Sequence, residues 1–169
     1  MIKQKLSAIT LLLALALITF ASEAGERKSA SQPFTFRRGQ AVYIAAFHPI
    51  HNIAHYPASS VAASPFIDDL DFEARLKKEF EKKLVFKVAS KLSEADFVFL
   101  AYIDESAAEG FTLAPPKYSE FKNKLDLDAI REAAYGSYVV GPFRIPTLGK
   151  ISNRLVEKFQ KTAITNGKP

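Results

Sequence analysis

Asp96-Phe97-Val98-Phe99-Leu100-Ala101-Tyr102-Ile103 is the stretch that decides the fold. Behind its leading aspartate run seven apolar or aromatic residues without a break. A strand with one wet face alternates apolar and polar positions, whereas an unbroken run belongs where both faces are covered. The segment therefore reads as the central strand of a helix-covered sheet. Ser90–Ala95 is a turn leading into it, and Leu84-Val85-Phe86-Lys87-Val88-Ala89 is a shorter strand before that.

Two more segments frame this centre. Ala41-Val42-Tyr43-Ile44-Ala45-Ala46-Phe47 has the length and composition of another buried strand. A helix should lie between the two, started by Asp68 or Asp69 as cap and running to about Lys83. Phe72, Leu76 and Phe80 recur every four residues and form its buried stripe, while Glu73–Lys77, Lys77–Glu81 and Glu79–Lys83 are i,i+4 pairs on its wet side. Its lysine pairs, Lys77-Lys78 and Lys82-Lys83, read as a solvated face before they read as a docking patch.

Beyond the central strand, Asp104–Glu120 reads as a long loop with Gly110 and Pro115-Pro116. Asp126–Gly136 has a capping aspartate and good helix formers, yet the alternation Leu125, Leu127, Ala129 permits a strand. Ser137–Ile145 reads as a strand bent or ended near Gly141-Pro142. Leu148, Ile151, Leu155, Val156 and Phe159 then mark a closing helix with one apolar face, ended by Asn166-Gly167. The order predicts an α/β or α+β domain. It starts with a right-handed βαβ crossover and has a mixed sheet of about four to five strands, with two long amphipathic helices packed against it.

The N-terminal part reads differently. Lys3 and Lys5 precede Leu6–Phe20, an uncharged and mostly apolar run, and small residues follow, with Ser22 and Ala24 at the positions a signal peptidase inspects. The run is shorter than the roughly 20 residues of a membrane span. Residues 1–24 are thus expected to be a signal peptide, 25–40 a polar linker, and 41–165 a single globular domain. Cleavage after Ala24 leaves 145 of the 169 residues, and loss of Lys3, Lys5 and Glu23 takes the formal net charge from +5 to +4. An uncleaved signal would serve as an N-terminal anchor. The expected location is secreted or periplasmic, with no transmembrane segment once the signal is gone. Zero cysteines remove disulfides, thiolate metal sites, cysteine nucleophiles and a lipid-bearing cysteine together. The core must rest on packing, for which the chain has 14 Phe and 6 Tyr. A modest positive charge on an exported chain is explained by a solvated lysine-rich surface, and no nucleic-acid partner is expected.

Ala41–Phe47 before its loop and helix, Ser93-Glu94-Ala95-Asp96-Phe97-Val98-Phe99-Leu100, and the closing amphipathic helix together resemble small exported α/β domains of bacterial envelopes, namely the TolB N-terminal domain and the curli-secretion-channel family. The resemblance covers roughly Gln40–Lys161. It implies an envelope location, another envelope protein as partner, and a binding or scaffold role without catalysis. It carries no residue's function across, and the chain lacks the lipid-bearing cysteine of the curli family.

Three histidines fall within eight residues, His48-Pro49-Ile50-His51-Asn52-Ile53-Ala54-His55. Neutral imidazole ligates zinc or copper, and the cluster follows the carboxyl end of the first strand, where open α/β sheets bind ligands. Asp68, Asp69 or Asp71 could add an oxygen ligand. His48, His51 and His55 are thus the candidate metal residues, for a metal-binding protein or a metal-dependent hydrolase; as plain polar loop residues they need no metal. Other chemistry finds less support. Asp68-Asp69, Asp104-Glu105 and Asp126 with Asp128 read as helix caps and strand ends. Ser59-Ser60 lies in no nucleophile elbow, and Gly149-Lys150 lacks the first glycine and the Ser/Thr of a P-loop. Tyr118, Tyr135 and Tyr138 with Phe121 and Phe143 either line a ligand groove or pack the core.

Overall fold

The computed structural model describes residues 34–49, 66–83, 85–104, 107–143 and 147–166. Six strands and four α-helices follow one another: β1 (Ala41–Pro49), β2 (Phe66–Asp68), α1 (Leu70–Lys83), β3 (Lys87–Val88), β4 (Phe97–Ile103), β5 (Ala108–Leu113), α2 (Pro115–Phe121), α3 (Leu127–Ala133), β6 (Gly136–Val140) and α4 (Leu148–Asn166). The strand order is β2-β1-β4-β5-β6. β1 lies parallel to β4 and to β3, and antiparallel pairs join β1 to β2, β4 to β5 and β5 to β6. Val42 is opposite both Val88 and Phe97, and Phe47 opposite both Asp68 and Tyr102. β2 and β3 therefore share the one edge of β1 that β4 leaves open.

The mixed sheet with helices on it is the α/β architecture read from the sequence, and β4 stands inside it with Phe97 to Ala101 all buried. The two-residue period of the strands then sorts the core into two layers. Val42, Ile44, Ala46, Phe97, Phe99 and Ala101 face α1 and α4. Ala45, Phe47, Val98 and Leu100, with Phe111 and Leu113 of β5, face Tyr118 of α2 and Ile130 of α3.

The first layer is aromatic. The Phe159 ring of α4 lies between 5.1 and 5.9 Å, centroid to centroid, from Phe36, Phe80, Phe86, Phe97, Phe99 and Tyr138. Gly110 makes room for this cluster, because a Cβ there would stand 2.6 Å from the Phe99 ring. The aromatic set considered as a groove lining is split by the sheet. Tyr118 and Phe121 belong to the second layer and Tyr138 and Phe143 to the first, so these side chains pack cores.

Several local expectations meet their outcome. Asp69 caps α1, its Oδ1 accepting the Phe72 N–H at 2.9 Å. Residues 127–133 are helix, not strand, because Asp126 Oδ1 accepts from the N–H groups of Asp128 and Ala129. Of the three pairs on α1, Glu73–Lys77 forms, whereas Glu79 turns to Lys82 and Lys83 reaches Glu157 on α4. The stretch Asp104–Glu120 is not a loop. It holds β5 and most of α2, with Pro115 in a first helical turn where its missing N–H costs no hydrogen bond. The 25–40 segment lies mostly outside the described residues. Within it Phe34 stacks on Tyr135 at 4.5 Å, and Phe36 packs edge-on to Phe97 at 5.1 Å.

Phe159→Ala should cost about 3–5 kcal/mol of unfolding free energy in urea titration, as truncation of a large buried ring does. Asp126→Ala, which removes only a cap, should cost about 1 kcal/mol in the same measurement.

Candidate functional site

Because β1 and β4 are parallel, their carboxyl ends leave the sheet on one side, at His48-Pro49 and at Ile103-Asp104. β2 folds back antiparallel onto Phe47–Pro49 and delivers Asp69 to the same place, where the Asp69 N–H donates to the Ala46 carbonyl at 2.9 Å. One Asp69 oxygen caps α1. The other stands 3.3 Å from His48 Nδ1. That nitrogen is buried and makes no hydrogen bond of good geometry, so the carboxylate is its neighbour without being its hydrogen-bond partner. The side chain is still 31% exposed, and the exposure falls on its other ring atoms. A hydrogen bond from this nitrogen to the carboxylate would leave the other ring nitrogen for a ligand.

On the face turned toward α2 and α3, this end of the sheet is floored by Phe47, Phe66 and Tyr102, with ring centroids 5.1 to 5.9 Å apart. Burial, with Asp104 nearby, pushes the Tyr102 phenol pKa up. Next to it in register is Glu109 of β5. Its carboxylate accepts from Arg131 Nη2 at 2.8 Å, from Arg131 Nε at 3.4 Å, and from the Ser137 hydroxyl. Burial raises the Glu109 pKa, but the Arg131 and Ser137 hydrogen bonds outweigh it and hold the carboxyl below the usual range. Arg131 also reaches Asp128 at 3.0 Å. This is a tied carboxylate, ionised and shared among β5, α3 and β6, rather than a proton carrier poised near neutrality.

The structure thus brings His48 and Asp69 together. His51 and His55 lie outside the described residues, as do Ser59, Ser60 and Glu105. Among the described residues no three His, Asp or Glu side chains gather as a metal-binding group. Asp68 ends β2 and Asp71 lies in the first turn of α1. Glu109, Arg131, Ser137 and Tyr102 escaped the sequence reading as site residues, and the one cue was an acidic residue inside the otherwise uncharged Ala108–Leu113 run. The described helices include none long and apolar enough to cross a membrane.

Fold and rim together define an α/β domain whose strand ends carry a histidine beside a carboxylate on the α1 face and an aromatic cluster on the opposite face. No family model, curated protein or solved structure matches this chain.

Because the Glu109 pKa is depressed by folding, its stabilisation is full above the ordinary glutamate range and lost as pH falls through the lowered value. Glu109→Gln should be less stable than wild type at pH 7, and the gap should narrow on acidification, as read from urea midpoints at stepped pH.

Proposed function

We propose that this chain is an exported envelope domain that binds a partner rather than catalysing a reaction. One observation carries the reading: five carboxylates of the described residues, three of them buried or half-buried, are spent on structure. Asp69 and Asp126 cap helices, and Asp96 Oδ2 accepts the Ala41 N–H at 2.7 Å, joining the starts of β1 and β4. Glu109 is held by Arg131 and Ser137. Glu79 is held by Lys82 and by Asn153, and the Lys82 hydrogen bond keeps its carboxyl below the usual range against the opposing effect of burial. None of these is a free acid–base pair across a cleft. The N-terminal pattern Lys3, Lys5, Leu6–Phe20, Ala24 supports export, and the resemblance to envelope domains supports a partner in the same compartment.

Cell fractionation with N-terminal sequencing tests the location. The expected product is an envelope or periplasmic protein beginning at Gly25. A full-length chain confined to the cytoplasm overturns the reading.

The contact between His48 and Asp69 favours a second reading, a zinc- or copper-binding protein using His48, His51 and His55. Carboxylate backing of one imidazole nitrogen is the arrangement that metal-bound histidines use to fix ring orientation. Metal analysis of the purified protein should then find stoichiometric zinc or copper. Asp69→Asn, which retains a good helix cap, should weaken binding by about 10–100-fold. Equal, negligible metal in wild type and in a His48→Ala variant rejects this second reading.

A further inference from the structure

The far edge of the sheet carries features that neither reading uses. β6 ends the strand order, and among the described residues it has β5 on one side and no strand on the other. Its Val139 side chain is 51% exposed. Beside it runs α4, on which Lys150, Arg154, Lys158 and Lys161 fall at i, i+4, i+8 and i+11 with no acidic residue in the row. Two contacts fix the row next to β6. The Lys158 ammonium donates to the Val139 carbonyl, and the Arg154 guanidinium lies over the Phe143 ring at 5.4 Å, three residues beyond the strand. The flank of α4 that meets α1 carries Asn153, which reaches Glu79, while Glu157, which reaches Lys83, lies beside Arg154 and Lys161 at three and four residues along the helix. On α1, Lys77 and Lys82 also have carboxylate partners. Lys158 and Arg154 are therefore the cations of the row that stand on the flank of α4 turned to the sheet edge.

The dimensions agree. Eleven helical residues advance about 16 Å, and a five-residue strand spans about 16 Å. Side chains of a strand added along β6 would alternate between the two faces. Those on the face of Tyr138 would meet the cations of α4, and those on the face of Val139 would meet an exposed apolar side chain. We propose that β6 and the basic row of α4 form a docking edge for an extended partner segment in which acidic and apolar residues alternate, joining the sheet as a further strand. Main-chain hydrogen bonds supply affinity in such strand addition, and alternate side chains supply selectivity. The Lys158–Val139 contact is then the guard of an open edge, a use of lysine that keeps sheet edges from pairing indiscriminately. An incoming N–H replaces the ammonium at the carbonyl, and an incoming carboxylate takes the ammonium. An anionic membrane could also attract the row, but it brings no backbone donors for the strand and no partner for Val139.

This proposal rests on the reading of the domain as a binding module, and on neither export nor His48. It can be tested with the purified full chain and a labelled seven-residue peptide alternating Glu and Val, by fluorescence anisotropy. Saturable binding is expected. The Lys/Val counterpart should not bind, nor should a Glu/Val peptide N-methylated at alternate amides. Lys150→Glu and Arg154→Glu should each weaken binding by about tenfold, while Lys124→Glu on the opposite helical layer leaves it unchanged; circular dichroism checks that each variant keeps its fold. Several results overturn the proposal: no binding of the Glu/Val peptide, equal binding of the N-methylated form, or equal loss with Lys124→Glu. So does Arg154-dependent capture by phosphatidylglycerol vesicles without peptide binding, which would make the row a lipid contact. A chain found in the cytoplasm that still binds the peptide refutes export alone.

Discussion

The Phe159 ring is the contact on which the rest of the described structure leans. It brings α4 against two rings of β4, one of α1, one of β6, the Phe86 ring before β3, and Phe36 from ahead of β1. Without cysteines, the chain has no covalent staple to share that task. Aromatic pairs at these separations favour edge-on and tilted geometries, and those are the orientations the cluster adopts. The cluster also explains a local oddity, a glycine in the middle of a buried strand. Gly110 weakens β5 on its own, yet any side chain there would collide with Phe99.

Around this dry centre, polar groups act as joints. Asp96 ties β4 to the start of β1, Asp69 ties α1 to β1 by capping the helix while its N–H donates to the Ala46 carbonyl, and Glu109 ties β5 to α3 and β6. Each sits where an element begins or where two elements meet. A carboxylate in such a position accepts from a backbone, hydroxyl or guanidinium donor and so fixes where an element starts or meets its neighbour. The same economy leaves His48 as the described titratable side chain with a buried nitrogen lacking a good hydrogen bond.

The elements legible in the sequence were those with a sustained period. β1, α1, β4 and α4 follow from runs of apolar residues at spacings of one or four, and the caps at Asp69 and Asp126 follow from residue type and place. β5 was hidden because Gly110 interrupts a short run, and its glycine answers to Phe99, a neighbour across the sheet. α2 was hidden by Pro115-Pro116, which serve equally to break a chain and to begin a helix. Phe34 and Phe36 were masked by polar neighbours, although their partners are far along the chain. The candidate site divides in the same way. His48 and Asp69 lie at the ends of recognisable elements and could be found. Glu109 and Arg131 are 22 residues apart in a region without clear periodicity, so their meeting depends on how β5 and α3 pack.

The place of Phe159 along the chain has a bearing on the order of events during synthesis. Phe159 follows all of its ring neighbours along the chain, and Phe36, the earliest of them, is among the first described residues. A nascent chain lacking its last helix would hold five phenylalanines and a tyrosine around an unfilled centre. Contacts of such long sequence separation close late. Closure of the first core layer therefore waits on α4, and until that helix docks the rings it covers stay open to solvent.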